Sequence, residues 1–579
     1  MIRYEYPRPD IVRKNWWPLN GQWNFAFDDE NCGLSYKWFL HPNFPLKIEV
    51  PFAFQTKLSG INDPSFHDYI WYHRVINVPK RSGHRYLLHF QAVDYECQIF
   101  IDGNKIGAHT GGQAPFSFDV TDAIITDSNH DLVVYVFDPS TDLFLPRGKQ
   151  YWKPQSESIW YTRTSGIWQS VWIEEVPDAY VTSIRLTPKF DQGQIMVALT
   201  LSSPNRLLEI EISDHGKLVA SKMENATQNE LVLSFNVFQH EDDWKHKVWT
   251  PERPYLFDVK ITYGYDEVVT YFGMRKIATK NGRLMLNNER YYPKMVLDQG
   301  YWPDGLLTAP SADDLAKDIV LAKEMGFNGA RKHQKCEDPY FAYHADHLGF
   351  LVWGEMASCV LFSELSAKRD LNEWQQIIPR DYNHPSIIAW VPLNESWGVP
   401  NIRSDVRQQQ HAIDLYDYIK SVDDTRLVIG NDGWEMVKTD ICAVHHYRHG
   451  ARDDIAMQQK YKHELANQAN ILKSQPADRP LYADGYSYQG EPILLTEFGG
   501  ISYVVSDQGW GYTNVNNGHD LLDEYRRLIA AINSSSAIAG FCYTQLTDVE
   551  YEVNGLLTYD RQPKMPLASI KEINDLIKK

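Results

Sequence analysis

Residues Ile387–Gly398 read IIAWVPLNESWG, an apolar climb that ends on Asn394 and Glu395. Pro492–Gly500 repeats the design as PILLTEFGG and delivers Glu497. Short apolar runs closed by turn residues read as buried strands of a parallel sheet. A carboxylate at the end of such a strand stands at the sheet's C-terminal edge, where α/β barrels place their chemistry. Two carboxylates are what glycosidic bond hydrolysis requires: one protonates the leaving oxygen, and the other attacks carbon or activates water. The bland alternative is a pair of solvated strand ends. Against it, each glutamate is followed by an aromatic residue and a glycine, in Trp397-Gly398 and Phe498-Gly499.

Working outward, strand and helix patterns alternate from about residue 277 onward. Eight strand candidates follow in order: Tyr291–Leu297, Phe327–Arg331, Phe350–Glu355, Ile387–Glu395, Arg426–Gly430, Ile441–His446, Ile493–Glu497 and Ile538–Tyr543. Ser311–Asp314 opens a helix with a capping-box pattern, and Asp405–Val422, Gly518–Ile532 and Ser569–Ile577 also read helical. The spacing predicts a C-terminal (β/α)8 TIM barrel over 277–579, with Glu395 on strand 4 and Glu497 on strand 7, across one pocket. The polar segment 448–490 reads as an extended loop above it.

Upstream the pattern is all-β. Short runs such as Gln22–Phe27, Tyr69–Val78, Arg85–Phe90 and Asp131–Phe137 predict a jelly-roll β-sandwich over 1–178, with a hairpin at Asp102-Gly103. Runs from Tyr180–Pro188 to Phe257–Tyr263 predict a second, immunoglobulin-like β-sandwich over 179–276.

A chain of 579 residues exceeds one hydrophobic core, in keeping with this multidomain reading. Aromatics make up 13% of it; sandwich cores account for most of them, and sugar platforms use the rest. The net charge of −18 argues against nucleic acid and anionic membrane surfaces as partners. The six cysteines are scattered with no CxxC pair, which reads as reduced core thiols. The first residues carry no apolar signal core, and no window approaches a membrane span. The expected location is therefore cytoplasmic.

Further candidates lie at the other strand ends. Tyr447 is placed to hydrogen-bond Glu497, and Asn394 to hold a sugar hydroxyl. Of His445 and His446, one is expected to face the pocket and the other to pack behind it. Arg331 supplies positive charge that lowers the pKa of Glu497, and His333 is within reach of the sugar. Asp298 and Trp302 are candidate sugar contacts, with ordinary loop structure the alternative, and Tyr543 is a candidate platform. Asp548, Glu550 and Glu552 form an acidic loop without an assigned role. No histidine–carboxylate spacing suggests a metal, so neither metal nor cofactor is expected.

These residues resemble glycoside hydrolase family 2, the family of β-galactosidases, β-glucuronidases and β-mannosidases. The resemblance spans nearly the whole chain: Leu19–Trp23, Gly111-Gly112, Asp119–Thr121, Gly166–Trp172 and the Phe272–Ile277 join. Its most specific parts are Asn383–Ser386 with Asn394-Glu395, similar to the family's acid/base signature, and Thr496–Gly499, similar to its nucleophile motif. It implies a retaining exo-β-glycosidase with Glu395 as acid/base and Glu497 as nucleophile. The expected partner is a glycoside or oligosaccharide, and a homo-oligomer is left open.

Family glucuronidases carry an Asn-x-Lys pair before a GIFTRDRKPK-like stretch, to bind the sugar carboxylate. Here Glu552 and Asn554 stand at those positions. An acidic residue there repels a uronate, so the favoured substrate is a neutral β-galactoside. A β-mannoside, β-arabinopyranoside, β-galactofuranoside or β-glucuronide, or a non-catalytic carbohydrate-binding protein, are the alternatives.

Overall fold

The computed structural model describes residues 3–124, 128–503 and 509–577. Two antiparallel sheets, of six and four strands, form the first sandwich. Their inward side chains, among them Trp23, Phe25, Tyr72, Phe90, Val134 and Ile173, fill its core. The hairpin joining Glu96–Ile101 to Asn104–Thr110 turns at Asp102 and Gly103 with φ of 48° and 76°. Paired positive φ values match the right-handed twist of the flanking strands. The second sandwich stacks a five-stranded sheet, which borrows Ile11–Val12 from the N-terminal segment, on a three-stranded one.

The barrel strands are β1 (Lys294–Asp298), β2 (Gly329–Lys332), β3 (Leu351–Glu355), β4 (Ile387–Val391), β5 (Leu427–Val428), β6 (Cys442–His446), β7 (Ile493–Phe498) and β8 (Ile538–Tyr543). They lie parallel in one curled sheet ordered β5-β4-β3-β2-β1-β8-β7-β6. Across the β5/β6 seam, Asp440 bridges to Val428 with a backbone and a side-chain hydrogen bond, each 2.8 Å. Every β4 and β7 residue is buried, as the continuous apolar runs require.

Two expectations are corrected. β4 stops at Val391 instead of Glu395, because Pro392 has no N–H for a ladder and the chain turns sharply at Glu395 and Ser396. The segment 448–490 contains two helices, α1 (Ile455–Leu465) and α2 (Gln468–Lys473). They bury little apart from Tyr461, Leu465 and Ile471, so the apolar period is sparse; Asp454 and Asn467 cap their first turns.

The Asn383–Ser386 motif joins barrel to second sandwich. The Asn383 amide accepts from Leu186 N–H and donates to the Ile184 carbonyl. His384 sits 2.5 Å from Asp346, which also accepts from Tyr271 of the sandwich and from Ser386 N–H. Arg275 donates to the carbonyls of Pro385, Thr425 and Ile387. On the other side, Glu373 accepts from Gly112 and Gln113 N–H, tying the first sandwich to a barrel helix, Glu364–Asp381. None of the six cysteines is disulfide-bonded. Among the described residues no helix is long and apolar enough to cross a membrane.

Burial pulls the His384 imidazole down, but Asp346 outweighs it and raises the pKa to about 9. An unfolded histidine titrates near about 6.5, so this group's stabilisation, on the order of 3 kcal/mol, is complete below that pH and lost as pH rises through about 9. The unfolding temperature should therefore fall between pH 7 and 9.5. His384→Gln should be less stable at pH 6 and lose most of that slope.

Candidate active site

β2, β4 and β7 converge on one buried guanidinium. Arg331 is fully buried. It donates to Glu355 at 2.7 Å, Glu497 at 3.1 Å, the Asn394 amide oxygen at 3.1 Å and the Thr496 carbonyl at 2.8 Å, and lies 3.1 Å from Asp432. Three carboxylates on one cation would be costly to desolvate unpaired; here hydrogen bonds from several elements hold them ionised. Burial pushes Asp432 up, yet Arg331 and His445 bring it to about 2. Glu355 lies below the usual carboxylate range, with Arg331 and His333 outweighing its burial.

Glu497 is treated the same way. Burial raises it, and His445, Arg331, His333 and the Tyr447 hydroxyl lower it to about 2. The Tyr447 hydroxyl donates to Glu497 at 2.5 Å and lies 2.9 Å from the Thr544 hydroxyl. Its ring is stacked on Tyr512 at 3.6 Å. The result is an ionised carboxylate with fixed oxygens, the state a nucleophile needs.

Glu395 is less buried, with its side chain 17% exposed. It and Ser396 occupy left-handed backbone, with φ of 53° and 60°, conformations that cost about 1–3 kcal/mol each in non-glycine residues. The segment after β5 restrains them: Glu395 N–H donates to the Asp432 carbonyl and Ser396 N–H to the Asn431 side chain. His445 Nδ1 lies 2.7 Å from Glu395 and 3.4 Å from Glu497, and Nε2 lies 3.1 Å from Asp432. One oxygen of Glu395 and one of Glu497 are within 4.8 Å. A cleft of ≈ 470 Å³ opens over this cluster, lined by Glu395, His445, Tyr447, Trp434, Arg448, Met457, Tyr512 and Thr513 among others.

Among the described residues, Glu395, His445 and Glu497 are also the one trio of donors close enough to share a metal ion. Both His445 nitrogens point at carboxylates, so the ring works as a hydrogen-bond donor, and the trio reads as an ion-pair cluster.

Arg331, His333, Asn394, Glu395, His445, Tyr447 and Glu497 thus come together. The strand alternation turns His445 inward and His446 outward, where it meets Glu464 at 2.8 Å and the edge of Tyr461. Three expected sugar contacts are corrected. Asp298 is buried against Lys332 at 3.0 Å and the Gly300 N–H. Trp302 lies beneath the Arg561 guanidinium, 3.5 Å from the ring centre. Tyr543 is fully buried, edge-on to Phe498 and Tyr525, with no face for a sugar. Glu552 and Glu550 of the acidic loop dock the first sandwich, Glu552 accepting from Tyr161 at 2.5 Å and Glu550 from Thr162 N–H, while Asp548 is paired locally with Lys564. Trp160, in the same first-sandwich segment, lies edge-on to Trp397 at 4.8 Å.

Asp432 and Glu355 were not foreseen. Glu355 carries the same strand-end signal as the two glutamates, and Asp432 follows a strand in Gly430-Asn431-Asp432. Tyr512 has no strand or motif to mark it.

Comparison with known proteins finds three family profiles in series. These are the sugar binding domain of glycosyl hydrolases family 2 over 17–177, the central family 2 region over 179–275, and the family 2 TIM barrel domain over 278–579. A Formosa agariphila protein provisionally named beta-glucuronidase is 27% identical over 357 residues, covering 58% of this chain. A beta-galactosidase of Thermoanaerobacter pseudethanolicus is 22% identical over 415 residues, covering 68%. The chain spans 40% and 54% of these relatives' lengths. The structure of a beta-glucuronidase from an uncultured Clostridium sp. superposes with a TM-score of 0.78 at 20% identity, over 98% of this chain and 99% of that one, which shows a shared fold.

Removing the Arg331 charge strands several buried carboxylates. Arg331→Met should lower unfolding free energy in urea by about 3–5 kcal/mol, the usual scale for breaking a buried ion pair from one side. A change under 1 kcal/mol would contradict this account of the cluster.

Proposed function

The chain belongs to glycoside hydrolase family 2, and from that premise we propose that it is a retaining β-glycosidase removing a terminal non-reducing sugar. The observation that carries the reading is the separation of the two glutamates, whose nearest oxygens lie within 4.8 Å. Retaining enzymes hold their carboxyl groups about 5–5.5 Å apart, and inverting enzymes about 6.5–9.5 Å, to admit a water. Glu497, ionised and oriented by Tyr447 and Arg331, attacks the anomeric carbon while Glu395 protonates the departing oxygen. The glycosyl ester on Glu497 is then hydrolysed by a water that Glu395 deprotonates.

For the sugar, a β-glucuronide is placed first. It is supported by the names of the Formosa relative and the Clostridium structure. The objection from Glu552 also weakens, because Tyr161 and Asn554 occupy its oxygens and it is 3% exposed. Arg448 also lines the cleft, where its guanidinium is paired with Asp478. A β-galactoside is the second reading, supported by Glu552 and Asn554 standing where glucuronidases have their asparagine and lysine.

A panel of nitrophenyl β-glycosides tests both. Turnover of the glucuronide above the galactoside is expected, with the β-anomer as first product by NMR. Glu497→Gln should lower kcat/KM by about 10³-fold or more. A first-formed α-anomer would overturn retention, and galactoside preference would select the second sugar. Ligand binding without turnover of any glycoside would leave a carbohydrate-binding protein.

A further inference from the structure

We propose that His445 stores the proton that Glu395 delivers: in the resting site one proton lies between His445 Nδ1 and Glu395, and it reaches the glycosidic oxygen through Glu395. The inference rests on the reading of Glu395 as acid/base. His445 acts through that residue, which makes it a positioning residue.

The ring is built for one exchangeable proton. On Nε2 it faces Asp432 at 3.1 Å, which itself accepts from the Thr496 hydroxyl at 2.6 Å and lies 3.1 Å from Arg331. Asp432 stays ionised, so the Nε2 hydrogen is retained. On Nδ1 the ring faces Glu395 at 2.7 Å and Glu497 at 3.4 Å. Among the described residues the cation at its edge is Arg331, with Nη1 3.5 Å from Nε2; Glu355 and His333 stand behind that guanidinium. The ring cannot swing away. Trp434 meets it edge-on at 5.6 Å, and Gly433, at φ 112°, packs so close that a Cβ there would come 2.8 Å from Nδ1. Burial lowers the imidazole pKa, but Glu497, Asp432 and Glu395 together raise it to about 10.

One of those attractions, the Glu497 carboxylate 3.4 Å from Nδ1, disappears during the reaction. When Glu497 becomes a neutral ester, the charged ring loses that partner and its proton moves to Glu395 and on to the leaving oxygen. The C–O bond to the aglycone breaks as the bond to Glu497 forms, and the aglycone departs with the proton. In the second half, water gives hydroxide to the anomeric carbon and a proton to Glu395. As the Glu497 carboxylate reappears, that proton returns to Nδ1. No other donor or acceptor is needed.

The test compares pH profiles of kcat/KM for wild type, His445→Asn and His445→Gln, on phenyl and 2,4-dinitrophenyl glycosides of the sugar the panel selects. Dinitrophenolate leaves without protonation. The expected result is a basic limb moved to lower pH by more than about one unit, and a dinitrophenyl-to-phenyl ratio raised by about 10²-fold, the scale of general acid catalysis. A limb and ratio unchanged in whichever variant melts like wild type would overturn the proposal. Glu395→Ala is the control. If it shows no leaving-group dependence, the acid/base reading itself falls; if it does and the His445 variants do not, only this proposal falls.

Discussion

One fully buried arginine governs this active site. A guanidinium presents a rigid, planar fork of donors, and Arg331 of β2 uses it to hold residues from β3 and β7 and from the turns after β4 and β5. Lysine could carry the same charge but would make a single point contact. The geometry explains why Glu497 can be buried and ionised together: its countercharge comes from β2, three strands away in the sheet, and is itself paired with Glu355 and Asp432. The two glutamates then differ by surroundings alone, one buried and bonded to donors, the other partly exposed on strained backbone.

The strained turn at Glu395 and Ser396 belongs to the same arrangement. Left-handed backbone at consecutive non-glycine residues persists only where neighbours fix it. Here the neighbour is the segment after β5, which also supplies Asp432. Glu395, the histidine beside it and the aspartate behind that histidine are thus set by three consecutive strand ends, those of β4, β5 and β6, and linked to one another, so their distances cannot drift independently.

The sequence revealed the fold class, the eight barrel strands and most residues that meet around Arg331, because each leaves a local signal: an apolar run, a turn, a polar residue at the end. It was blind where the deciding contact is made between distant segments. Asp298 and Trp302 sit at a strand end like true site residues, but Lys332 and Arg561 claim them. Tyr543 closes β8 facing helix Gly518–Ser534, and nothing local distinguishes that from facing a ligand. Asp432 has the right position but competes with many other carboxylates for notice. The helices within 448–490 escaped because few of their residues are buried, and burial is what writes a period into a sequence.

The seam between the first sandwich and the barrel has a different consequence. Tyr161 and Thr162 grip the segment after β8, and Trp160 reaches Trp397 two positions beyond Glu395. The rim around Glu395 and Glu497 is therefore composite, assembled from two folding units that share a small buried cluster at this seam. Natural variation in the 147–163 segment can remodel that rim without touching a barrel strand, and the barrel cannot be transplanted alone with its rim intact. The shape of the cleft mouth is thus set partly by the unit farthest in sequence from Glu395 and Glu497.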